Sequence, residues 1–275
     1  MNYRHAYHAG NFADVAKHTL LVLLLQALNR KATPWCYFES HAGAGGYDLG
    51  SEVARRTGEA EGGIIKLWPD QSKLPTAAAE LCRIVAAENP GETTPRLYPG
   101  SPAIARALAR ADDRLVLAEL HPEDAHTLKQ YFRGDGRVAV HPRDGYEMLK
   151  ALTPPKEKRG LVLLDPPYEQ PDEFDTLAAS LIALHERWSA GIYAAWYPLK
   201  DEPARRRFLR KLEHSGLRKL LLAELRLPDQ VEGLAGSGML IINPPWQVDG
   251  EARENLAALA KVFKAESQVS WLVPE

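Results

Sequence analysis

The chain has 275 residues, 45% hydrophobic and 25% charged, with a formal net charge of −2. That composition supports a substantial buried core and excludes a disordered, collagen-like or coiled-coil chain. It also excludes a whole-molecule electrostatic grip on nucleic acid, so any such grip is local.

The opening, with Arg4, His5 and Asp14, lacks the apolar region of a secretory leader. The longest purely aliphatic run, Leu20 to Leu25, falls far short of the roughly 18 residues of a membrane span. A cytoplasmic, non-membrane protein is expected. Asn11, with Asp14 three residues on, starts a capped helix that runs through the aliphatic stretch to Asn29, Arg30 and Lys31. Trp35 to Glu39 reads as a buried strand and His41 to Gly46 as a glycine-rich turn. Residues 48–97 change character, rich in Gly, Pro and Thr around one alanine-rich helix (Thr76 to Glu88), and read as a small helical insert. The main domain then comprises residues 1–47 and 98–275. Cys36 and Cys82 are too few for a disulfide framework or a thiolate zinc site and read as small core residues.

Beyond the insert, apolar runs at Leu115–Leu120, Val138–Val140, Leu161–Leu164, Ile192–Trp196, Leu220–Leu225 and Met239–Ile242 alternate with helical patterns. The helices are Pro102–Arg110 (capped by Ser101), Glu123–Phe132, Tyr146–Leu152, Phe174–Trp188 and Glu202–His214. Strands apolar on both faces and joined by helices require an α/β fold with a mostly parallel sheet covered on both sides. The last two runs, separated only by a loop, predict a C-terminal antiparallel hairpin.

Open parallel sheets bind ligands beyond the carboxyl ends of their strands, so the residues after each run are the candidates. After the first strand comes the turn containing Gly43, in which small residues let a ligand approach the backbone; a lone GxG is equally a tight turn. A dinucleotide fingerprint would place a third glycine where Asp48 stands, and a carboxylate opposes a diphosphate. The turn therefore points to a nucleoside cofactor without phosphates. Glu119 after the next strand is placed to accept from ribose hydroxyls, and Asp144 after the third from an adenine amine, although each alone also reads as a helix cap or surface acid.

The sharpest signal is Asp165-Pro166-Pro167-Tyr168 after four aliphatics. Two prolines stop the strand and stiffen the backbone. Asp165 and the Pro166 carbonyl can accept the two hydrogens of an exocyclic amine while Tyr168 stacks on its ring. A second match, Asn243-Pro244-Pro245-Trp246, ends the hairpin; Asp165 is preferred because its strand follows Glu119 and Asp144 in the expected order. Two basic stretches, one containing Arg205, Arg206, Arg207, Arg210 and Lys211, the other Lys156, Lys158 and Arg159, are candidate nucleic-acid patches or ordinary solvated faces. The polar and aromatic residues from Tyr3 to His18 read as a lid over a polyanionic substrate. Metal binding by His5, His8, His18 and His41 lacks a supporting pattern, and no metal is expected.

The DPPY segment, preceded by the glycine turn, resembles the loop (D/N/S)PP(Y/F/W) of amino-methyltransferases that use S-adenosylmethionine. With YRHAYHAGN, HAGAGGYDLGSE, YPGSP, ELHP, GIYAAWYP, SGMLIINPPW and VSWLVPE, the chain resembles nearly end to end the RlmJ family of 23S ribosomal RNA adenine-N6 methyltransferases. The resemblance implies a Rossmann-like methyltransferase and direct in-line transfer of a methyl group to the N6 amine of one adenine of 23S ribosomal RNA, adenine 2030. It implies S-adenosylmethionine contacts at His18, His41, Gly43, Ser101, Glu119, Asp144 and Gly145, and a catalytic group of Asp165, Pro166, Tyr168 and Lys17. Tyr3, Arg4, His5 and Tyr168 are the expected substrate contacts. Lys17, at the start of an apolar helix, is expected to snorkel if it has no other role. A monomer is expected. The competing readings are an adenine or amine methyltransferase acting on DNA or protein, and a non-catalytic RNA or nucleotide binder.

Overall fold

Asn11 accepts a hydrogen bond from the Asp14 amide at 2.8 Å and so begins α1 (Phe12–Asn29). All but three of its 18 residues are buried, as expected of a helix that is apolar all round. The computed structural model describes residues 8–228 and 233–275.

Following α1 are β1 (Cys36–Glu39) and β2 (Gly46–Asp48), then α2 (Glu52–Thr57), α3 (Ile64–Leu67) and α4 (Thr76–Glu88). Next come β3 (Leu97–Pro99), α5 (Ser101–Leu108), β4 (Arg114–Ala118), α6 (Pro122–Tyr131), β5 (Val138–His141), α7 (Gly145–Leu152) and β6 (Gly160–Leu164). The chain continues through α8 (Glu173–Arg187), β7 (Ile192–Pro198), α9 (Glu202–Glu213), β8 (Leu220–Arg226), β9 (Gly236–Ile242), α10 (Val248–Phe263) and β10 (Glu266–Val273). Among the described residues one eight-stranded sheet has the order β10-β8-β9-β7-β6-β1-β4-β5. The five strands from β7 to β5 are parallel. β9 runs antiparallel to both β7 and β8, and β10 antiparallel to β8, so the expected hairpin is present with β9 wedged inward.

Side-chain alternation divides each strand between two cores. Tyr37, Leu115, Leu161 and Ala194 face α1, α4 and α10, whereas Phe38, Val116, Val162 and Ala195 face α7, α8 and α9. Both cysteines are free and buried in these cores. The segment between β2 and β3, which pair antiparallel, contributes Ile64, Leu67, Leu81 and Val85 to the same core as α1. The Asn255 side chain of α10 holds the start of α4 by accepting from the Ala78 amide at 3.0 Å.

The helix expected from Pro102 begins one residue earlier. Gly100 takes the cap position, and Ser101 makes no capping bond because its hydroxyl is engaged by the buried carboxylate of Glu39. No helix among the described residues is long and apolar enough to cross a membrane.

Candidate active site

The chain runs from β1 outward to β4 and β5, then returns to lay β6 on the other side of β1. This reversal opens a crevice at the carboxyl ends of β1, β4 and β6. A cavity of about 430 Å³ lies there. Of the residues expected at the site, Lys17, His41, Gly43, Ser101, Glu119, Asp165, Pro166 and Tyr168 line it.

Gly43 has φ +61°, and a Cβ there would lie 2.3 Å from the Tyr47 hydroxyl oxygen, so both backbone and space require glycine. Its amide donates to Glu119 Oε2 at 2.8 Å, while the His121 amide donates to Oε1 at 2.7 Å. Glu119 thus clamps the glycine turn to the end of β4, and burial raises its carboxyl despite these bonds. Glu39, fully buried, accepts from the Tyr37 hydroxyl at 2.9 Å and from Ser101. Burial pushes its carboxyl up to about 8, against the lowering effect of both hydroxyls. Burial also lowers His41 to about 4, only partly opposed by Asp165 and Asp144. The ring of His41 meets Tyr146 edge-on at 5.4 Å.

Asp165 sits at the end of β6, its side chain 14% exposed. Lys17 Nζ reaches its Oδ2 at 2.6 Å and Asp14 Oδ1 at 2.9 Å. Lys17 is therefore not snorkelling: it is 4% exposed and held between two carboxylates, which overcome the lowering effect of burial and raise its pKa above the ordinary value. Asp14 in turn accepts from the Gly10 amide at 2.9 Å. Tyr168 adopts φ +52°, a strained conformation for a non-glycine residue. Its hydroxyl donates to the Trp196 carbonyl at 2.7 Å, and its ring packs against Phe174 at 4.9 Å and Trp196 at 5.7 Å.

His18, Asp144 and Gly145 are not brought to the cavity wall. His18 is 1% exposed and bonded through Nδ1 to the Tyr98 hydroxyl at 2.8 Å. Asp144 caps α7, its Oδ1 accepting from the Glu147 amide at 2.9 Å. Gly145 is required by packing, since a Cβ would fall 1.9 Å from the Ser40 carbonyl oxygen. Tyr3, Arg4 and His5 lie outside the described residues. The cavity also takes in His8 and Asp14, which sequence reasoning placed only in the lid segment, and Trp196 and Glu59, which it did not single out. His8 and Asn11 both bond to Glu59, at 2.6 and 2.8 Å, tying the entry of α1 to the segment after β2. Trp196 could have been found by inspecting the end of its own strand run.

Asn243 lies at the other edge of the sheet because β9 is antiparallel: Ile242 pairs with Tyr193, near the start of β7. Among the described residues no group of three or more His, Cys, Asp or Glu side chains could hold a metal ion.

An open sheet with a glycine turn after β1, an acid after β4 and DPPY after β6 defines a Rossmann-like methyltransferase. The chain belongs to the RlmJ family: the family model described as "RsmJ: Ribosomal RNA large subunit methyltransferase D, RlmJ" matches residues 32–273. It is 42% identical over 281 residues to "Ribosomal RNA large subunit methyltransferase J" of Escherichia coli K12, covering 100% of both chains. It is 41% identical to the Haemophilus influenzae protein of the same description, covering 99% of this chain and 98% of that one. A crystal structure of a Legionella pneumophila protein superposes with a TM-score of 0.90 at 35% identity, covering 96% of this chain and 98% of that one.

Proposed function

We propose that the protein is an S-adenosylmethionine-dependent methyltransferase acting on the N6 amine of one adenine in 23S ribosomal RNA, adenine 2030 by resemblance. It is read as a cytoplasmic monomer that works without a metal. The observation that carries the proposal is the corner formed by Asp165, Pro166 and Tyr168 on the cavity wall, with Lys17 occupying one oxygen of the aspartate.

The cavity fits the cofactor. Its lining carries five carboxylates, Asp14, Glu59, Glu119, Asp124 and Asp165, against two lysines, Lys17 and Lys200, which suits a cationic sulfonium and opposes a diphosphate. His121 Nδ1 on the same wall is buried without a hydrogen-bond partner. His41, Gly43, Ser101 and Glu119 would hold the cofactor, with Glu119 accepting from ribose hydroxyls. Asp144, off the cavity wall but near enough to His41 to act on its charge, would accept from an adenine amine through the oxygen that does not cap α7 if the cofactor's ring reaches past His41. Bound S-adenosylmethionine supplies an electrophilic methyl group.

The chain's own residues do the rest. Lys17 takes Asp165 Oδ2, leaving Oδ1 and the Pro166 carbonyl to accept the two hydrogens of the target amine, which concentrates lone-pair density on nitrogen. Tyr168, pinned through its hydroxyl, stacks on the base, a contact worth about 1–3 kcal/mol. That offsets much of the few kcal/mol needed to draw the base from its stack. Catalysis is then placement and electrostatics, with no covalent enzyme intermediate, and the surplus proton of the methylated amine leaves to water from the hydrogen bonds that Asp165 Oδ1 and the Pro166 carbonyl make to it.

The test incubates the protein and S-adenosylmethionine with ribosomal RNA from cells lacking the activity and measures modified nucleosides by mass spectrometry. N6-methyladenosine in 23S RNA and none in DNA is expected. Methylation of DNA instead, or of neither, overturns the proposal.

A further inference from the structure

Glu119 is placed to receive the ribose of the cofactor, yet a carboxylate only accepts hydrogen bonds. Each of its oxygens already takes one backbone amide, from Gly43 at 2.8 Å and from His121 at 2.7 Å. Two neighbouring hydroxyls present two hydrogens, but they also present two oxygens with lone pairs. Glu119 leaves those oxygens unmet, so a donor and a further acceptor are needed beside it.

The residues that follow supply both. The amide that closes on Glu119 belongs to His121, so the imidazole is carried at a fixed place next to that carboxylate. His121 stands in the cap position of α6, but its side chain makes no capping bond. Its Nδ1 is buried and without a hydrogen-bond partner. A buried polar atom left unpaired is costly, and this one belongs to a residue of the cavity wall. The other such atom among the described residues, Thr19 Oγ1, belongs to a residue away from that wall.

Asp124, in the first turn of α6 and on the same wall, brings Oδ2 to 3.7 Å from His121 Nδ1. That separation is too long for a hydrogen bond, but a single oxygen about 2.8 Å from each atom spans it. With the proton on Nδ1, the ring donates to that oxygen while the oxygen gives its own hydrogen to Asp124. One hydroxyl therefore satisfies both groups. A phosphate does not, because its ionised oxygen brings no hydrogen and repels the carboxylate.

We propose that His121 and Asp124 form a second ribose subsite, a paired donor and acceptor that takes one hydroxyl of the cofactor's ribose while Glu119 takes the other. The subsite deepens the S-adenosylmethionine reading and rests on it. It makes recognition of the sugar a matter of both hydroxyls, each held by its own group.

The test measures, by calorimetry, the binding of S-adenosylhomocysteine and of its 2′-deoxy and 3′-deoxy analogues to wild type, His121→Ala, His121→Asn and Asp124→Ala. Wild type should bind each analogue about tenfold more weakly than the parent. His121→Ala and Asp124→Ala should each weaken the parent about tenfold and abolish the penalty for one analogue, the same one in both variants, with the penalty for the other intact. His121→Asn, whose side-chain amide can donate from near the place of Nδ1, should restore most of the parent's affinity. Penalties for both analogues that persist in His121→Ala overturn the proposal and mean that water alone fills the gap. Equal losses for all three ligands also overturn it, because they mark a merely structural role, as does an effect on different analogues in the two alanine variants. Wild type that binds none of the three ligands refutes the methyltransferase reading together with the subsite; wild type that binds them, with unselective variants, refutes the subsite alone.

Discussion

Replacing Lys17 by methionine keeps the length of the side chain and removes its charge from between Asp165 Oδ2 at 2.6 Å and Asp14 Oδ1 at 2.9 Å. At an effective dielectric constant near 20, each contact corresponds to roughly 6 kcal/mol of attraction. Desolvation of the buried ions and repulsion between the two carboxylates take back several kcal/mol of this. The variant leaves both acids without their cation, so the net loss should be about 3–5 kcal/mol, a fall in Tm of roughly 6–15 °C by scanning calorimetry. Single-turnover methylation should slow at least about 100-fold, because Asp165 loses the partner that aims its free oxygen. In a double-mutant cycle with Asp165→Asn, the coupling in stability should be about 1.5–3 kcal/mol. A Tm within about 2 °C of wild type, together with additive single-variant losses, would show that the pair is ornamental and refute the reasoning.

Asp165→Asn should cut kcat/KM more than about 1,000-fold. Asn243→Ala, which loses two bonds to backbone carbonyls far from the cavity, should keep activity within about threefold while losing about 1–3 kcal/mol of stability; steady-state kinetics with the reverse ranking would sink the choice of site. Glu39 is raised from 4.5 to about 8 by burial, so the native state binds the extra proton; its contribution is fully present below pH 4.5 and is lost as pH rises through about 8. Glu39→Gln imitates the protonated form and should flatten the alkaline fall in Tm; an unaltered pH profile contradicts this. His41 has the opposite sign. Its pKa is lowered by burial from 6.5 to about 4, so its contribution is present above pH 6.5 and is lost as pH falls through about 4, at no more than about 1.4 kcal/mol per pH unit. His41→Gln should blunt that acid limb in the same titration. Gly145→Ala drives a methyl group to within 1.9 Å of the Ser40 carbonyl oxygen and should cost about 1–3 kcal/mol while weakening S-adenosylhomocysteine binding by calorimetry; a neutral substitution would mean that the turn and α7 are free to part.

The parallel half of the sheet was legible because its strands are apolar on both faces and punctuated by capped helices. β10 was not: the exposed polar start of Glu266–Val273 lacks the alternation of a half-buried strand. α10 was missed although its buried Val248, Ala252, Leu256, Leu259 and Phe263 carry helical spacing. At the site, residues immediately after strands were readable, because topology alone sends them to one edge. The Lys17–Asp165 pair was not readable as a contact, since 148 positions separate its members and only the crossing of α1 over β6 joins them. His18 shows the limit of motif matching: consecutive helical residues point about 100° apart, so when Lys17 faces the cavity its neighbour turns to Tyr98. Ser101 was read as a cap because local chemistry favoured it, but the buried Glu39 carboxylate claims its hydroxyl.

The placement of α1 also governs how the protein is made. This helix leaves the ribosome more than 200 residues before β9 and α10, against which it packs. α4 and α5 can cover one side of it early, but the side that meets β9 and α10 waits through most of translation, an opportunity for chaperone capture and for self-association. Long-range closure of this kind slows folding. A circular permutant that moves α1 behind β10 would shorten the wait and shield that surface as soon as it emerges.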